Sequence, residues 1–95
     1  MPYEIIFKPE AENDFEVLRK YDAAKIGDEI EAHLTYEPRK ESKARIKKLR
    51  ERGEDDYRLR VEEFRVFYTV DDSETIVWVL RILHKDDTDQ FYGEA

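Results

Sequence analysis

The chain has 95 residues, 17 of them basic and 24 acidic, so its formal net charge is −7 and 43% of it is Asp, Glu, Lys or Arg. That length allows one core and a single domain over residues 1–95, while 40% hydrophobic and 13% aromatic residues are too many for a disordered polymer. The absence of cysteine excludes a disulfide framework, a cysteine-bound zinc and a thiol nucleophile. The longest apolar run, Ile76 to Leu80, is too short to cross a bilayer, and Met1 to Glu4 lack the features of a secretory leader, so a cytoplasmic location without membrane contact is expected.

Tyr3 to Lys8 is a β-branched and aromatic run closed by Pro9, which predicts a strand. Ala11, Phe15 and Leu18, then Ile26, Ile30, His33 and Leu34, recur at three- and four-residue spacing and predict two helices, about 10–20 and 23–36, the second ended by Pro38. From Arg39 to Arg52 only Ala44, Ile46 and Leu49 are apolar, and a loop with some helix is expected. After Gly53 the period becomes two. Tyr57, Leu59 and Val61, then Phe64, Val66, Tyr68 and Val70, alternate with other residues on either side of Glu62-Glu63, as a hairpin would. A turn at Asp71 to Glu74 leads to Thr75–Leu83, apolar on both faces and therefore expected at the centre of the sheet, with Trp78 in the core. The order is strand, helix, helix, antiparallel meander: an α+β fold with helices on one sheet face.

Charge is unevenly distributed along this order. Residues 1–38 carry four basic and ten acidic groups, residues 39–52 eight basic and two acidic, and residues 71–95 two basic and seven acidic. The basic stretch, Arg39, Lys40, Lys43, Arg45, Lys47, Lys48, Arg50 and Arg52, reads either as a solvated face or as a grip on an anionic partner.

Arg58, Arg60 and Arg65 fall on the sheet face away from the helices, where Arg81 could join them. Converging guanidinium forks suit phosphate; the competing reading is a lattice of weak surface ion pairs with Glu62, Glu63 and nearby Asp residues. His84-Lys85 ends the last strand, and Tyr92 follows. A ribonuclease that uses no metal must take a proton from the 2′-hydroxyl, stabilise the phosphorane and protonate the leaving 5′-oxygen, and His84, Lys85, Tyr92 and the arginines are the residue types for those tasks. An ordinary surface pair and a tail clip are the plain alternatives for His84-Lys85 and Tyr92. His33 lies on the apolar stripe of the second helix and reads as a half-buried structural residue. Asp86, Asp87 and Asp89 lack the glycine and distal glutamate of a calcium loop, and no metal or other cofactor is expected.

Asp56-Tyr57-Arg58-Leu59-Arg60-Val61-Glu62-Glu63-Phe64-Arg65-Val66-Phe67-Tyr68 resembles the hairpin core of the RelE/ParE family of type II toxins. The likeness extends to Phe7 through Ala11 with Asp14-Phe15, to Leu34 and Pro38, to Lys48-Leu49, and to Val79 through Lys85 with Tyr92, nearly the whole chain. It differs at Glu62-Glu63, where the family's turn contains glycine. The resemblance implies the β-α-α-β-β-β microbial ribonuclease-like fold and, for the RelE branch, a toxin that cleaves mRNA on the ribosome without a metal, inhibits translation and is neutralised by a cognate antitoxin. It gives Arg58 and Arg60 the places that hold phosphate and assist proton transfer, and Arg65 that of the transition-state arginine. Lys85, beside His84, takes the place of a second catalytic arginine, Tyr92 that of the C-terminal tyrosine, and the basic stretch that of the grip on ribosomal RNA. The ParE branch shares the fold and inhibits DNA gyrase; a binding-only member is the third possibility.

Overall fold

Helix punctuation in this chain comes from proline and from apolar spacing. Pro9 takes the first position of α1 (Pro9–Glu16), where its fixed φ suits a helix start and its missing N–H leaves no bond unmade. Ala11 of α1 and Ile26, Ile30 and Leu34 of α2 (Lys20–Leu34) form one buried stripe. The computed structural model describes residues 1–49 and 53–88. In it these helices lie on one face of a five-stranded sheet built from β1 (Glu4–Phe7), β2 (Ile46–Lys48), β3 (Asp56–Val61), β4 (Phe64–Asp71) and β5 (Ile76–His84), which a short 3-10 turn, η1 (Lys85–Asp87), follows.

The sheet order is β1-β5-β4-β3-β2, with β1 parallel to β5 and every other pair antiparallel. The expected α+β architecture is present, with three differences of detail. The middle strand is β4; β5 lies between β4 and β1, with Val77, Val79 and Ile82 buried on the helix-facing side and Trp78 half-buried on the other. The basic stretch contributes no helix among its described residues but a three-residue strand, since Ile46 opposite Leu59 gives that edge a single buried anchor. Trp78 is outside the helix-facing core. It pairs with Thr69 and Ile6 on the opposite face, half-exposed, with the Lys8 ammonium 4.5 Å from its ring centroid.

The helix-facing core joins Ala11, Ile26, Ile30 and Leu34 to alternate strand residues, among them Leu59, Val66, Tyr68, Val77 and Val79. Tyr68, fully buried, stacks on Tyr57 with ring centroids 5.7 Å apart and donates its hydroxyl to the Pro38 carbonyl at 2.6 Å, which fixes the chain just after α2. The β4–β5 register shifts between Phe67 and Tyr68, a bulge that leaves Leu80 outside the one-to-one pairing.

Among the described residues two that are not glycine adopt positive φ: Glu62 at 53° in the β3–β4 turn and Thr75 at 57° ahead of β5. A β-branched residue in the left-handed region costs about 1–2 kcal/mol. Thr75→Gly keeps the Thr75 carbonyl that accepts the Glu4 N–H. After the added chain entropy of glycine, it is expected to stabilise the fold by about 0.5–1 kcal/mol. A thermal melt of the two proteins checks this, with a higher midpoint for the variant.

Candidate nucleic-acid interface

Period-two alternation in β3 and β4 sends Tyr57, Leu59, Val61, Val66, Tyr68 and Val70 to the helices and Arg58, Arg60 and Arg65 to the other face. The register makes this more than a shared face. Arg60 stands directly opposite Arg65, and Arg58 is opposite Phe67 on one side and Lys47 on the other. Four cations from three neighbouring strands therefore share one patch. Like charges directly across a ladder are destabilising, so the Arg60–Arg65 pairing by itself does not favour the fold.

Burial separates the roles of these cations. Arg65 is half-buried and donates through Nη1 to the carbonyl oxygens of Glu62 and Phe64, at 3.0 and 2.9 Å, which anchors it to the hairpin turn. Arg60 is exposed, and among the described residues its guanidinium makes no hydrogen bond or ion pair. Arg58 is half-buried and Lys47 exposed. Phe67 is fully buried on this same face, giving the patch an apolar floor.

The end of β5 supplies Lys85 and His84, and the structure treats them differently. Lys85 is exposed at the start of η1; its N–H donates to the Glu63 carbonyl at 2.7 Å and its ammonium lies 3.0 Å from Oε1 of Glu63. That ammonium holds the Glu63 carboxyl below the usual carboxylate range. His84 pairs with Phe64, one residue beyond the Arg65–Leu83 pair, and so projects to the helix side, away from the arginines. Its ring packs edge-on against Phe64, and Nδ1 lies 3.2 Å from the Asp86 N and 3.5 Å from Oδ2 of the same residue. Tyr92 lies outside the described residues.

Arg81 does not join the other arginines. Its guanidinium forms a two-pronged pair with Asp14 of α1, Nε at 2.7 Å and Nη2 at 3.1 Å. The same Asp14 carboxylate accepts the Ile82 N–H at 2.9 Å beside the β5 bulge. Asp14 therefore staples helix to sheet, a role no local pattern announces because its partners lie more than sixty residues away.

The basic stretch is divided in the same way. Arg39 sits half-buried in an acidic cradle, bonded to Asp72 at 3.0 Å, to Asp55 at 2.9 Å and to the Val70 carbonyl at 3.4 Å. Asp72, which also accepts the Tyr3 hydroxyl, is held below the usual carboxylate range by those two donors, the tyrosine first. Arg45 pairs with Glu29 at 2.8 Å, and Lys48 donates to the Glu54 carbonyl at 2.6 Å. Lys40 is exposed, 3.9 Å from Glu37, and Lys43 is exposed. Arg50 and Arg52 lie outside the described residues. His33 is half-buried with Nε2 3.2 Å from Glu29.

Part of the negative charge collects at the other end of the hairpin. Asp55, Asp71 and Asp72 stand at the far end of the β3–β4 pair, while Arg60 and Arg65 adjoin the Glu62-Glu63 turn. The length of β4, about 25 Å for eight residues, separates the two ends. No helix is long and apolar enough to cross a membrane among the described residues.

Residues 5–88 match the family model of the ParE toxin of type II toxin–antitoxin systems, parDE. The chain is similar to a solved structure of the RelBE2 toxin–antitoxin complex from Mycobacterium tuberculosis, at 28% identity and a TM-score of 0.76 over 92% of this chain and 95% of that one. It is also similar to a doubly substituted E. coli toxin RelE in the free state, at 25% identity and a TM-score of 0.78, covering 100% and 95% of the two chains. A third is the archaeal RelE–RelB complex from Pyrococcus horikoshii, at 25% identity and 0.68, covering 88% and 96%. No curated protein sequence matches the chain.

Proposed function

This chain belongs to the ParE toxin family of type II toxin–antitoxin systems, with RelE-type toxins as its structural neighbours, and from that premise we propose that it is an mRNA endoribonuclease acting on the ribosome. The observation that carries the reading is the Arg60–Arg65 cross-strand pair, with Arg58 and Lys47 in the next row. A polyanion relieves the repulsion such a patch stores, and an RNA phosphate passing to a phosphorane gains charge where guanidinium groups already point. Arg65, tied to the turn carbonyls, holds the position most fixed for transition-state stabilisation, while Arg58 and Arg60 hold the phosphate. Lys85 is the described residue placed to exchange a proton, with Tyr92 as its counterpart by resemblance. His84, on the other face, supports η1. Among the described residues of the basic stretch, Lys40, Lys43 and Lys47 are the exposed lysines and the ones offered to ribosomal RNA; half-buried Arg39 and exposed Arg45 are held by Asp55 and Glu29.

The neighbours from M. tuberculosis and P. horikoshii are toxin–antitoxin complexes, and the partner proposed here is likewise a cognate antitoxin. The match to the ParE model favours gyrase inhibition as the second reading.

Induced expression of the wild type beside Arg65→Ala, following growth and mapping mRNA 5′ ends, tests the assignment. Growth arrest with new codon-phased ends, absent from the variant, is expected. Arrest without cleavage, with loss of supercoiling, would assign the chain to gyrase; no arrest would leave a member that only binds.

A further inference from the structure

The Glu62-Glu63 turn sits at the mouth of the cationic patch, and three elements converge on it. Lys85 is bound to Glu63 through both its ammonium, at 3.0 Å, and its backbone N–H, at 2.7 Å. Arg65 donates to the Glu62 carbonyl. The Tyr21 hydroxyl of α2 lies 3.4 Å from Oε2 of Glu62. Glu62 adopts φ 53°, a conformation that glycine would take without penalty, so the two-carboxylate turn is held in place against a backbone preference. The result is an anion built into the chain, in contact with the one described cation placed for proton exchange.

We propose that the Glu63 carboxylate is an internal competitor for RNA phosphate, occupying the Lys85 ammonium until a phosphate displaces it. The proposal rests on the nuclease reading and deepens it: Glu63 becomes the residue that sets how strongly the site takes single-stranded RNA. Both groups are exposed, with 45% and 59% of the Lys85 and Glu63 side chains accessible, so exchange needs only a rotamer change in Glu63. An RNA phosphodiester carries one negative charge, as the carboxylate does, but it reaches Arg60 and Arg65 as well and is followed by further phosphates along the strand, so it wins in the full site, whereas a ligand with a single isolated charge does not. Removing the competitor therefore tightens RNA binding and adds one cation to those that release counterions.

The test uses the full chain as wild type, Glu63→Gln and Glu74→Gln, the last removing the same charge from the far β4–β5 turn. Acetylation of Lys85, read by mass spectrometry under limiting reagent, reports the ion pair itself. It rises severalfold in Glu63→Gln alone, and equal labelling in all three proteins overturns the pairing. Binding of a short single-stranded RNA is then expected to tighten about fivefold in Glu63→Gln at low salt. The slope of log K against log salt steepens by about 0.7. Equal tightening in Glu74→Gln would reduce the effect to net charge and overturn the competition, as would RNA affinity unchanged by Glu63→Gln despite freed Lys85. RNA bound by none of the three, with Lys85 labelling raised, would overturn the competition while leaving the ion pair established; the nuclease reading itself stands or falls on the mapped mRNA ends.

Discussion

Asp14→Ala is expected to destabilise the protein by about 2–4 kcal/mol, more than any surface charge in this acidic chain would suggest. The carboxylate accepts three hydrogen bonds, two from Arg81 and one from the Ile82 N–H. Its side chain is only 16% exposed, and that of Arg81 32%. Truncation leaves a backbone donor without its acceptor beside the β5 bulge and a half-buried guanidinium without its counter-charge, and each loss is costly where water cannot substitute fully. Asp14→Asn keeps one acceptor oxygen and should lose about half as much. Arg81→Met removes a charge but leaves Asp14 able to accept from Ile82, so about 1 kcal/mol is the expected loss. Urea unfolding of the three variants gives this ranking directly. An Asp14→Ala midpoint equal to that of the wild type would mean that α1 docks on apolar contacts alone.

The elements that could be read from the sequence are those whose own residues carry the signal. Tyr57 to Val70 alternates cleanly because one face meets the helices and the other carries arginine, and the same alternation places Arg58, Arg60 and Arg65 together. Ile26, Ile30 and Leu34 mark α2 in the same way. β2 escapes such a reading, since three residues with Ile46 as the one buried anchor make no period, and its existence depends on the edge β3 offers. Trp78 is misleading for a related reason. β5 carries apolar residues on both faces, and composition does not say which face the helices cover.

The candidate site was legible in its cations and illegible in their partners. Arg81 and Arg39 look, in sequence, like the arginines that form the patch, yet Asp14 and the Asp55–Asp72 cradle bind them from distant positions. His84 and Lys85 are adjacent in sequence and part in space because His84 ends β5 on the helix side while Lys85 opens η1 and binds back to Glu63. The negative charge that argues against RNA binding when summed over the chain is concentrated in part at the far end of β4, where Arg39 engages it.

Arg60 is the residue at which the nuclease reading and the solvated-surface reading differ most. Its guanidinium is exposed, without a hydrogen bond or ion pair among the described residues, and directly opposite Arg65. Arg60→Glu puts a carboxylate opposite that arginine, replacing a like-charge pair with an opposite one, so stability should hold or rise by about 0.5 kcal/mol. If the patch binds RNA, the same change takes away one cation that holds phosphate and puts a repelling anion in its place. The affinity for a short single-stranded RNA should then fall by about two orders of magnitude at low salt. The salt dependence should become shallower by about 0.7 for each phosphate no longer neutralised. Thermal melts and RNA titrations on the same two proteins measure both quantities. A stable variant that no longer binds RNA identifies Arg60 as a phosphate ligand, since folding then gives no other account of the change. An affinity and slope equal to those of the wild type would remove Arg60 from the site and leave the cross-strand arginines as surface charge.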